Sequence, residues 1–163
     1  SNTLLESVVK KNRARLIPFM LALYVLAFLD RSNIGFAKET YQLDTGLSNE
    51  AYALGAGIFF VVYAFLGVPA NLLMRKFGAR RWIGCTTLLW GVLSAAMAWA
   101  DTEAKFLLVR TLLGAAEAGF FPGMIYLTSQ WFPQQNRASI MGLFYMGAPL
   151  ALTLGSPLSG ALL

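Results

Sequence analysis

The sequence predicts an all-α membrane protein, and three observations carry that prediction. Hydrophobic residues make up 57% of the 163-residue chain and charged residues only 13%, against about 25% charged in ordinary soluble domains. The apolar residues fall in five blocks, each near the length of about 20 residues that a helix needs to cross a bilayer core. The basic residues gather in alternate short connections, as they do in multi-pass proteins. The predicted spans are 16–37, 51–74, 82–100, 105–128 and 138–163. Short connections make neighbouring spans antiparallel.

Residues 1–15 precede the first span. They hold Lys10, Lys11, Arg13 and Arg15 against Glu6. Thr3-x-x-Glu6 reads as a capping box for a short pre-membrane helix, with Leu4, Leu5, Val8 and Val9 as its apolar stripe. This segment is expected to be amphipathic and cytoplasmic. The first span is interrupted by Asp30 and Arg31. The first connection sets Lys38 against Glu39, Asp44 and Glu50, and Ser48 or Asn49 can cap the second span. That span carries Tyr63 near Gly67 and Pro69. The second connection, Arg75 to Arg81, has four bases and no acid. The third span holds Cys85, read as packing. Trp82 and Trp99 would lie about 26 Å apart on a helix, as interfacial anchors or as ordinary lipid or core contacts. The third connection has Asp101, Glu103 and Lys105. Arg110 and Glu117 interrupt the fourth span, and Arg137 lies in the fourth connection. Asn33 and Asn71, nearer the span ends, read as capping or interfacial residues. The positive-inside rule places the N-terminus and the second and fourth connections in the cytoplasm. Pro69, Pro122, Pro149 and Pro157 lie inside spans, where they permit bends.

Several function classes are excluded by composition. The net charge is +5, but its placement follows topology, and no basic solvated surface with aromatic or polar readers suggests nucleic acid. A single cysteine rules out an intrachain disulfide. The absence of histidine removes the His proton relay and His-based triads. No phosphate-binding loop, nucleophile elbow or metal-ligand spacing is visible. The protein is therefore expected to be neither an enzyme nor a holder of a metal or cofactor. The chain stops within its fifth apolar run, so it is expected to be the N-terminal part of something larger, with an incomplete transmembrane domain over 16–163.

Asp30, Arg31, Arg110 and Glu117 are the informative residues. A charge near a bilayer centre costs about 2.5–3.5 kcal/mol on insertion scales, and such residues usually line an ion or substrate path. Arg110 and Glu117 stand seven residues apart, two helical turns on nearly one face. Gly114 lies between them and leaves room for a ligand or a partner helix. Spans one and four each carry one acid and one base, as expected for equivalent helices of two three-helix inverted repeats. Two readings follow. One is a transporter for an anion driven by protons. The other is a membrane scaffold or assembly subunit whose buried salt bridges only fix packing.

The residues Leu29-Asp30-Arg31-Ser32-Asn33 and the run from Arg110 through Gly114, Glu117 and Gly119 to Pro122-Gly123 resemble the major facilitator superfamily, and within it the anion:cation symporter family of organic-anion carriers. The segment Asn71–Arg81 resembles that superfamily's cytoplasmic loop motif, with Asn71 in place of the leading glycine and Arg75 in place of the acid. The resemblance implies the N-terminal five helices of a twelve-helix fold of two six-helix halves. It implies alternating access and proton-coupled uptake of hexonates or related carboxylates at a bacterial inner membrane, by a protein that is monomeric when full-length. By position, Arg31 binds the substrate carboxylate, Tyr63 lines the site and Asp30 and Glu117 take protons. Arg110 pairs with the acids in the absence of substrate, or touches the substrate itself. Helix five offers Tyr145, Thr153 and Ser156 as further polar groups. Gly155-Ser-Pro157-x-x-Gly160 resembles a motif of antiporters, which keeps an exporter of the same superfamily as a third reading.

Overall fold

A computed structural model describes residues 2–162, with side chains from 3 to 161. Its elements are helical: α1 (Asn2–Phe36), α2 (Lys38–Thr45), α3 (Asn49–Phe77), α4 (Ala79–Ala96), a 3-10 turn at Met97–Trp99, α5 (Glu103–Glu117), α6 (Phe120–Trp131), α7 (Gln134–Tyr145) and α8 (Gly147–Leu162). Among the described residues, five helical stretches are long and apolar enough to cross a membrane: Thr3–Phe36, Asn49–Phe77, Ala79–Trp99, Glu103–Trp131 and Gln134–Ala161. Most extend a few residues beyond the apolar blocks, because a helix satisfies its own backbone and need not stop where hydrocarbon does. The largest extension is at the start. The expected pre-membrane helix and the first span are one helix, and Thr3 lies inside it instead of capping it. Its 35 residues measure about 52 Å, well beyond the ~30 Å of a bilayer core.

Local chemistry accounts for the boundaries. Ser48 caps α3, its hydroxyl oxygen accepting from the Ala51 N–H at 3.1 Å. Thr102 does the same for α5 with the Lys105 N–H at 3.4 Å. Gly46 (φ 71°) and Gly78 (φ 86°) end α2 and α3. Both adopt positive φ, which glycine accepts without a steric cost, and each N–H returns to the carbonyl four residues back, on Gln42 and Met74, at 2.8 Å.

Spans four and five are broken helices. Between α5 and α6 the helix is interrupted at Ala118–Gly119, and between α7 and α8 at Met146. Pro122 cannot donate to the Ala118 carbonyl, nor Pro149 to that of Tyr145, and each ring crowds that carbonyl. Pro18, Pro69 and Pro157 stay inside continuous helices, so proline alone does not break the ladder. At both breaks a glycine backbone meets an aromatic ring. A Cβ on Gly119 would sit 2.5 Å from Trp82 Nε1, and one on Gly147 would sit 2.5 Å from Tyr24 Cδ1. Trp82 is thus a packing residue whose Nε1 is buried, while Trp99 is 75% exposed.

The chain forms two compact units: Phe36–Gly123, and the residues up to Gly35 together with those from Met124 onward. In the first, α3 packs tightly on α5. Gly55 faces the Phe106 ring so closely that a Cβ there would overlap it, and a Cβ on Gly114 would meet the Phe59 carbonyl oxygen at 2.6 Å. Small residues permit this approach, which in lipid replaces the hydrophobic drive of soluble cores. One end is closed by Tyr41, whose hydroxyl donates to the Ala100 carbonyl at 2.5 Å and whose ring joins Tyr52 and Phe106. Burial, and then the nearby Asp101 carboxylate, push the Tyr41 hydroxyl above its ordinary range. The Lys105 ammonium, hydrogen-bonded at 2.6 Å, holds exposed Asp101 below its ordinary range. Cys85 is exposed on the same α4 stripe as Leu88 and Val92, not packed inside.

In the second unit Tyr24 on α1 meets Gly147 on α8. Further along the same two helices, the Ser159 hydroxyl donates to Asn33 Oδ1 at 2.6 Å. Asn33 therefore bridges helices where the sequence suggests a cap or interfacial role. Arg137 closes the end of α6 by donating to the carbonyls of Ser129 at 2.6 Å and Phe132 at 3.1 Å.

Candidate substrate and proton site

In the first unit, α5 aligns Phe106, Arg110, Leu113 and Glu117 as one buried stripe, the 3.6-residue repeat of a helix face. This is the most enclosed span: 56% of its apolar window is buried, against 11% for Ala79–Trp99. Arg110 is 2% exposed and Glu117 1%. Two groups on α3 receive the arginine. Its Nε donates to the Gly55 carbonyl at 3.2 Å, and its guanidinium carbon stands 4.4 Å from the centroid of the Phe59 ring. A desolvated guanidinium over an aromatic face gains about 2 kcal/mol. Phe59 also stacks on Tyr63, centroids 6.1 Å apart and planes 15° from parallel. The fold therefore brings Tyr63, Phe59 and Arg110 together. Glu117 shares the Arg110 stripe of α5 about 10 Å further along the axis, as the last residue of α5 before the Pro122 break.

In the second unit, Asp30 and Arg31 are half-buried on α1. The Arg31 guanidinium lies 5.3 Å from the Phe28 centroid, and Phe28 lies 4.8 Å from Tyr24. An arginine, a phenylalanine and a tyrosine thus meet in both units. Stacking engages the face of a guanidinium and leaves its N–H edge for other partners. A guanidinium edge can match a carboxylate bidentately. Of the expected helix-five groups, Tyr145, Thr153 and Ser156 are exposed, and the Thr153 hydroxyl donates to the Pro149 carbonyl at 2.8 Å. Sequence reasoning missed Phe28 and Phe59. The Phe28–Arg31 spacing of three residues was a usable signal. Phe59 offered none, because its partner lies on another helix.

The broken, membrane-spanning helices and their buried charges define a transporter-like fold, and comparison with known proteins agrees. The family model of the Major Facilitator Superfamily matches residues 20–163. The chain belongs to that superfamily, a group of membrane transporters and not of enzymes. Over all 163 residues it is 91% identical to the inner membrane transport protein RhmT of Escherichia coli K12, of which it covers 38%. It is 48% identical over 163 residues to a putative tartrate transporter of Agrobacterium vitis, covering 36% of that protein. The chain thus spans little more than a third of the length of these relatives. The inward-facing, occupied structure of a bacterial homologue of the human lysosomal transporter Spinster superposes with a TM-score of 0.85 at 22% identity, over 91% of this chain and 32% of that one. That likeness concerns the fold. The chain is a multi-pass protein of the inner membrane.

Proposed function

We propose that the full-length protein takes up an organic anion together with protons, the anion being a sugar acid such as L-rhamnonate or another hexonate, and that this chain supplies the N-terminal part of its site. One observation carries the reading: two arginines inside membrane spans, each seated on an aromatic ring and each sharing its helix with a carboxyl group. The putative tartrate transporter, named for a dicarboxylate, supports an anionic cargo. Arg31, half-buried and mounted on Phe28, grips the carboxylate. Tyr63 lines the site, and Arg110 either touches the substrate or balances the acids when no anion is bound. Asp30 and Glu117 take the protons. The N-terminus lies in the cytoplasm.

Coupling follows from elementary electrostatics. Removing a carboxylate from water favours its protonated form, and a neighbouring guanidinium opposes this. An anion that captures the guanidinium removes the opposition, so anion and proton favour each other's binding reciprocally. Two protons entering with one monoanion carry one net positive charge, driven by about 2.3 kcal/mol per 100 mV. The test uses the full-length protein in proteoliposomes. Glu117→Gln should retain hexonate counterflow and lose accumulation driven by an inside-alkaline pH gradient. Accumulation at the wild-type level would remove Glu117 from the coupling.

A further inference from the structure

Phe59 has no place in the charge-based reading, yet it touches both Tyr63 and Arg110. It is 0% exposed. Its ring lies 4.4 Å from the Arg110 guanidinium carbon and stacks on Tyr63 at 6.1 Å. Its backbone is packed directly on α5, for a Cβ on Gly114 would stand 2.6 Å from the Phe59 carbonyl oxygen and 3.2 Å from its Cα. Gly114 is one helical turn beyond Arg110, and Gly55, whose carbonyl accepts from Arg110, is one turn before Phe59. Ring, backbone and hydrogen bond therefore register the same two helices at the same level. A leucine would fill much of the same apolar volume but has no π face to hold a guanidinium.

We propose that Phe59 is a positioning residue for the anion site: it fixes the plane of the Arg110 guanidinium and ties it to Tyr63, so that an anion engaging either group meets the other already oriented. This rests on the anion-carrier reading above. Displacing Tyr63 tilts the Phe59 ring, and the ring carries the guanidinium with it. The same contact makes Arg110 dependent on helix packing at Gly114, which meets the Phe59 backbone.

The test measures equilibrium hexonate binding to the full-length protein in nanodiscs, for wild type, Phe59→Leu, Phe59→Trp, Arg110→Gln and the Phe59→Leu/Arg110→Gln double variant. Phe59→Leu should raise the hexonate Kd about tenfold, and Phe59→Trp should stay within about threefold of wild type because it restores the aromatic face. In the Arg110→Gln background the Leu substitution should change Kd less than about twofold, the non-additivity of groups acting through one contact. Independent, multiplicative effects of the two substitutions would overturn the proposal, as would wild-type affinity in Phe59→Leu. A wild type that binds no hexonate refutes the carrier reading instead. The positioning role is then judged on the Arg110 ¹⁵Nε resonance, which should lose its ring-current shift in Phe59→Leu. An unchanged resonance overturns the proposal.

Discussion

Arg31 and Arg110 sit on similar aromatic seats built in different ways. The Arg31 seat is local: Tyr24, Phe28 and Arg31 follow one another on a single helix, and the residue is half-buried. The Arg110 seat is tertiary: Tyr63 and Phe59 come from α3 and the arginine from α5, with 2% of the residue exposed. A local seat survives any movement that keeps its helix intact. A tertiary seat exists only while two helices stay in register. Under the proposed function, the first is the seat of the residue that grips the carboxylate. The second suits a residue that reports helix packing to the site.

The contrast is broken most forcefully by deleting each arginine. Arg110→Ala leaves the Gly55 carbonyl and the buried stripe without their cation and should cost about 3 kcal/mol. Arg31→Ala should cost about 1 kcal/mol or less while removing hexonate binding. Thermal unfolding of the full-length protein in detergent, read beside binding, separates the two, and equal destabilisation would erase the distinction. A smaller effect tests the packing behind each seat. Gly114→Val drives a side chain into the Phe59 backbone and should cost about 1–3 kcal/mol. Gly147→Ala meets a side chain, the Tyr24 ring, and not a backbone, and should cost less than that. The reverse order would place the tighter register in the other unit.

The smallest expected effect is a pH control on the first unit that leaves Arg110 untouched. The Tyr41 hydroxyl is held above its ordinary pKa of 10.0 by burial and by Asp101. The folded state therefore keeps its proton where the unfolded state has begun to lose it. The stabilisation is complete below the ordinary tyrosine range and is lost as pH rises through the folded value. Unfolding midpoints of wild type and Tyr41→Phe should thus run parallel at neutral pH and converge under alkaline conditions. Parallel curves throughout would detach Tyr41 from the alkaline slope.

Much of this was legible in the chain. Five blocks of bilayer length gave the five spans, because hydrocarbon thickness imposes a length that composition reveals. Asp30, Arg31, Arg110 and Glu117 stood out because charge inside such blocks is costly, and Ser48 was readable as a cap. The two helix breaks were only half legible. Pro122 and Pro149 look no different in sequence from Pro69 or Pro157, and the breaks need Gly119 and Gly147 against rings contributed by distant residues. Phe59 was illegible for the same reason: in an apolar span one phenylalanine resembles another until a second helix brings it an arginine. The Asn33–Ser159 hydrogen bond, 126 residues apart in sequence, was equally hidden.

The most direct test of the account is hexonate uptake by the full-length protein in proteoliposomes, with and without an imposed inside-alkaline pH gradient. Coupled carriage at these seats predicts accumulation above the external concentration only with the gradient, collapsing when a protonophore is added. Uptake that reaches the same level without the gradient would contradict it.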